Sequence, residues 1–144
     1  MPDLDLTRHI PAPPDRVFHA ITDPAQLLRW WGPEGVTIRD EQLDFRQTGP
    51  WTSTMVSPEG KRFKVSGQIT HVTPGSSVGF TWAWHDEDDR RGHETHVTIA
   101  VEPSPEGGTT LTLHHRDLAD EAAAANHNDG WTSSLNKLET LFAT

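Results

Sequence analysis

The chain has 144 residues, a third of them hydrophobic, and a formal net charge of −9. That length suits one core rather than two, and the acidic balance would repel a polyanion, which argues against nucleic acid or acidic membranes as primary partners. Cysteine and tyrosine are both missing, so disulfides, thiolate nucleophiles, thiolate metal sites and a phenolic general acid are excluded.

The opening stretch MPDLDLTRHI carries two Asp and lacks the apolar run of a signal peptide. No segment approaches the roughly 20 apolar residues needed to cross a bilayer. A cytoplasmic location without membrane insertion is the expectation. Leu4, Leu6 and Ile10 alternate with polar residues and predict a first strand over 4–10, closed by Pro11, Pro13 and Pro14. Val17, Phe18 and Ile21 then recur at helical spacing and predict a short helix over 14–21. Asp23-Pro24 predicts a second, with Asp23 as N-cap and Pro24 at the first helical position. This helix is expected to carry Leu27, Leu28, Trp30 and Trp31 before Gly32-Pro33 ends it.

From Val36 the apolar period becomes two. Strands are marked by Val36 and Ile38, by Trp51 and Met55, and by Phe63, Val65 and Ile69. Others follow at Val78, Phe80, Trp82 and Trp84, at Val97, Ile99 and Val101, and at Leu111 and Leu113. SPEGK, TPGS, HDEDDRRG and SPEGGT separate them with hairpin chemistry, so neighbouring strands should run antiparallel. Ile69 and Val72 have opposite parity, which predicts a bulge near Thr70-His71. The last thirty residues return to helical spacing. Trp131, Leu135, Leu138 and Phe142 share a face with His127, an N-terminus is expected at 118–120, and NHNDG at 126–130 is poor helix material where a kink is expected.

The expected fold is α+β: a curved seven-stranded antiparallel sheet around a long C-terminal helix, with two short helices after the first strand. Several pieces then look familiar together: R-H-I-x-A-P at 8–13, V-F-x-A-I-T-D-P at 17–24, L-x-x-W-W-G-P at 27–33 and F-T-W-x-W at 80–84. E-T-x-V-T-I at 94–99, L-T-L-x-H at 111–115 and H-x-x-G-W-x-x-x-L-x-x-L at 127–138 complete the set. The chain resembles the stand-alone bacterial members of the heat-shock-protein-90 ATPase activator-like family, within the START-like (SRPBCC) superfamily. The resemblance runs from about 8 to 142. It implies a helix-grip fold, with 1–144 as one START-like domain.

The site residues follow from where the apolar and imidazole groups fall. Trp30 should pack the short helix onto the sheet. Trp31, about 100° further round the helix, should line the cavity mouth. Phe80, Trp82 and Trp84 share one strand face and suit a flat apolar or aromatic ligand. Met55 and Trp131 complete the expected wall, and His115 and His127 should approach one end of the interior, either as a packed pair satisfied by backbone or water, or as groups that orient a polar part of a ligand or act as a general acid/base. Glu94 should face solvent. His85 and His93 approaching across a hairpin would give two metal ligands at most, where a structural zinc wants four; no metal or cofactor is expected. No G-x-S-x-G occurs, and no serine has an evident His and Asp around it, so no catalytic residue is assigned.

The first functional expectation is therefore binding of a small hydrophobic or aromatic molecule in a central cavity. The second is a cyclase- or dehydratase-like enzyme using a cavity histidine. The resemblance adds a third, a chaperone ATPase-activator role in the stress response, against which stands the opening of the sequence directly on the first strand. The eukaryotic co-chaperone has an additional N-terminal domain for much of its chaperone contact. A monomer or a homodimer fits equally.

Overall fold

The computed structural model describes residues 2–143. In chain order these form β1 (Leu4–Ile10), α1 (Pro14–Thr22), α2 (Pro24–Leu27), β2 (Thr37–Gln42), β3 (Gly49–Val56), β4 (Arg62–Thr73), β5 (Ser77–Trp84), β6 (Thr95–Pro103), β7 (Thr109–Arg116) and α3 (Glu121–Phe142). One seven-stranded antiparallel sheet has the order β1-β7-β6-β5-β4-β3-β2, so β2 to β7 form a meander and β1 returns beside β7. The expected bulge is present: the β4–β5 register shifts between Ile69 and His71.

The local chemistry explains the ends. Asp23 accepts from the Gln26 amide at 3.2 Å and starts α2. Asp120 accepts from the Ala123 amide at 2.8 Å and starts α3. The α2 helix is shorter than the apolar spacing predicts. After Leu27 the amides of Arg29 and Trp30 bond three residues back, to Gln26 and Leu27, so the chain tightens into turns and Trp30 and Trp31 lie beyond the helix. The α3 helix runs unbroken from Glu121 to Phe142, NHNDG included. Its buried face is Trp131, Ser134, Leu135 and Leu138.

The centre of the sheet's concave side is solid. Trp31 stands edge-on or tilted to six rings: Trp30, Phe45, Trp51, Phe80, Trp82 and Trp131, with centroids 5.5–6.3 Å apart. Gly67 makes this possible on the sheet side. It pairs with Trp51, and a Cβ there would lie 2.0 Å from the Thr81 carbonyl oxygen, the same oxygen that accepts from Trp51 Nε1 at 3.0 Å.

Candidate functional site

The expected hollow exists, but it is displaced from the centre that Trp31 fills. A cavity of about 420 Å³ lies between β5 and the N-terminal half of α3, with Gly32 and Pro33 also in its lining. Trp31, Met55, Trp82, Trp84, His127 and Trp131 line it. Phe80 and His115 do not; both are buried one layer behind the wall, Phe80 against Phe45 and Trp51, His115 against Trp131. Phe63, Asn126, Gly130 and Ser134 line it as well and are missing from the sequence expectation. Phe63 was legible in principle, since it pairs with Met55 across β3 and β4. Asn126 and Gly130 belong to the α3 stretch 126–130 that propensity marks as weak, and Ser134 follows one turn later on the same helix.

Among the described residues no Asp, Glu, Lys or Arg side chain lines this cavity, and burial disfavours a charge on the two histidines beside it. His127 lies opposite the Ala123 carbonyl, 2.7 Å from its Nδ1, and opposite Trp84 Nε1, 2.9 Å from its Nε2. A carbonyl only accepts and an indole only donates, so the proton is on Nδ1. His115 has the reverse tautomer. Its Nδ1 accepts from Trp131 Nε1 at 3.0 Å, and its Nε2 donates to Thr95 Oγ1 at 2.7 Å, which in turn donates to the Trp82 carbonyl. The two rings stand 4.9 Å apart. Burial, with His127 and His96 nearby, pushes the His115 imidazole down to about 3. Burial lowers His127 too, against the opposing bond to Ala123. Both rings have every nitrogen committed, so neither offers a free acid or base to a cavity guest.

A smaller cavity of about 150 Å³ lies next to the first and shares Trp82, Trp84, Ala123 and His127 with it. The Trp84–His127 hydrogen bond thus ties together two side chains of the partition. Among the described residues Trp82 Nε1 is buried without a partner, a penalty on the order of 1–3 kcal/mol set in the same partition.

The remaining sequence expectations fall outside this site. Trp30 packs as expected, fully buried with its Nε1 donating to the Ala20 carbonyl at 2.9 Å. Glu94 is exposed and pairs with Arg91. His85 and His93 turn to different partners, His93 to the Asp117 carbonyl and His85 to Ser66 and Asp89.

An interlocked aromatic centre, an apolar hollow beside it and a long helix gripped by a curled sheet define a helix-grip, START-like protein. Residues 11–143 match the family model for Activator of Hsp90 ATPase homolog 1-like protein, and the chain belongs to that family. The AHSA1 protein of Silicibacter pomeroyi is 52% identical, with 96% of each chain covered and a TM-score of 0.92. A Chromobacterium violaceum protein is 26% identical over 97% of this chain and 96% of its own, with a TM-score of 0.86. For a Mycobacterium smegmatis protein the figures are 25%, 99%, 91% and 0.80. No curated protein matches the sequence significantly. Among the described residues no helix is long and apolar enough to cross a membrane.

Proposed function

We propose that the protein binds an uncharged hydrophobic or aromatic small molecule in the cavity beside α3. The observation that carries this is the wall: four indoles with Met55 and Pro33 around about 420 Å³, without a charged side chain among the described residues. Ligand pockets of small molecules occupy about 300–1,000 Å³ and are mostly apolar. A charged group would find no counter-ion there and would lose its hydration. The histidine-catalysed alternative is weakened by the committed nitrogens of His115 and His127. A chaperone-activating role rests on the family description alone.

Gly130 supplies the test. Its Cβ would meet only Pro33 Cγ, at 3.7 Å, so larger side chains grow from an uncrowded point into the cavity. Titration with the neutral probe N-phenyl-1-naphthylamine should quench indole fluorescence saturably in the natural protein, and Gly130→Leu should abolish the effect while the fold persists. Equal quenching in both proteins would place the probe elsewhere and end the proposal.

A further inference from the structure

On the opposite face of the sheet, three residues from two separate segments form one hydrogen-bonded chain. Ser66 lies on β4, its side chain on the face away from the buried Val65. His85 follows β5 and Asp89 sits in the turn after it. His85 Nδ1 is 2.8 Å from Asp89 Oδ1, and His85 Nε2 is 2.6 Å from Ser66 Oγ. A carboxylate can only accept, so the ring proton is on Nδ1, and Nε2 is the lone-pair nitrogen that takes the Ser66 hydroxyl proton. The carboxyl of Asp89 is held below its ordinary range, first by Lys64 and then by His85, and stays ionised. Asp89 has φ +62, in the left-handed region that Asp enters more readily than most non-glycine residues. Arg91 Nε donates to the same Ser66 Oγ at 3.0 Å. A groove of about 760 Å³ runs alongside, lined by His85, Asp89, Phe63 and Thr52; Ser66 stands behind this lining as the partner of Thr52 across β3 and β4.

We infer that Ser66, His85 and Asp89 form a second, nucleophilic site that hydrolyses short-chain uncharged carboxylic esters. Its order of partners is that of an activated serine: nucleophile, base, and a carboxylate fixing the base's tautomer. Ser66 Oγ bonds to the ester carbonyl carbon while its proton passes to His85 Nε2. Arg91 donates to Ser66 Oγ, to the Ser66 carbonyl and to Glu94, so its guanidinium sets a positive charge beside the reacting serine, where the negative charge of the tetrahedral intermediate develops. Collapse breaks the bond to the alkoxy oxygen, which leaves as the alcohol with the proton from His85. Water, losing a proton to His85, then attacks the acyl-Ser66; the carboxylic acid departs and Ser66 regains its hydrogen. Both acidic and basic side chains line the groove, Lys61 and Arg62 against Asp86 and Glu87, which favours an uncharged substrate. The spacing 66, 85, 89 gives no motif in the sequence; the β4–β5 pairing and the turn create the triad.

The test is covalent labelling of the whole protein with an alkyl fluorophosphonate, which forms a Ser66 Oγ–phosphorus bond and expels fluoride. Mass spectrometry of the digest should find the adduct on Ser66, with labelling slowed roughly 100-fold or more in Asp89→Asn and in His85→Ala. Circular dichroism should show both variants folded. Should Ser66 in the natural protein stay unmodified, or react as fast in the folded variants, the inference is overturned. The result is independent of the cavity, since Gly130→Leu should leave Ser66 labelling unchanged.

Discussion

The inner and outer faces of the sheet use histidine in opposite ways. Inside, His115 and His127 are closed off: each has one nitrogen against an indole donor and the other against an oxygen. Outside, His85 has its proton fixed by Asp89 and its lone pair turned to a hydroxyl. The imidazole is the same, but its partners differ. An indole N–H can only give a hydrogen, so it turns the facing nitrogen into a structural acceptor. A serine hydroxyl can lose its proton, so it turns the same kind of nitrogen into a base. The inner pair therefore belongs to packing and the shape of the cavity, and the outer one to reactivity.

Removing Trp31 should damage the inner side most. Trp31→Ala takes out the ring that touches six others, at a cost of about 4–5 kcal/mol in urea unfolding. Acid comes next. His115 binds a proton near 6.5 when unfolded and only near 3 when folded, so the unfolded chain holds more protons between those values. Its contribution is complete above about pH 6.5 and is lost as pH falls through the folded value. Between pH 6.5 and 4 this amounts to about 3 kcal/mol, and His115→Leu should flatten that part of the urea-midpoint profile.

Smaller changes sharpen the contrast. Trp84→Phe breaks the bond to His127 Nε2 and should cost about 1 kcal/mol. Trp84→Ala should in addition join the two cavities and admit longer neutral probes. Gly130→Ala should raise stability by about 0.5–1 kcal/mol through helix propensity, checked by thermal unfolding, because its methyl group has room. Smallest of all, Asp89→Asn lies in an exposed turn and should shift stability by no more than about 0.5 kcal/mol.

Periodicity made the seven strands, the bulge and the long helix legible, because a half-buried strand must alternate and a covering helix must present one stripe. The same alternation put Trp82 and Trp84 on the inner face, and Trp131 and His127 on the helix side that meets them. It failed where backbone geometry and volume decide. Two amides bonding three residues back ended α2 before the paired tryptophans. Phe45, in the β2–β3 connection, carried no period and yet fills the centre beside Trp31. Strand parity could not tell a cavity wall from the layer behind it, so Phe80 and His115 were expected at the surface of a hollow they only back.

The amino-acid sequence by itself determined which faces are apolar, where the chain turns, and the family to which it belongs, since these depend on neighbours within a few residues and on the order of elements. Only the tertiary structure decided where space remains and which polar atoms meet. Residual volume depends on how rings from five separate segments interlock, and a histidine's role depends on atoms brought to it from other strands. Neither quantity is a property of any local stretch of chain.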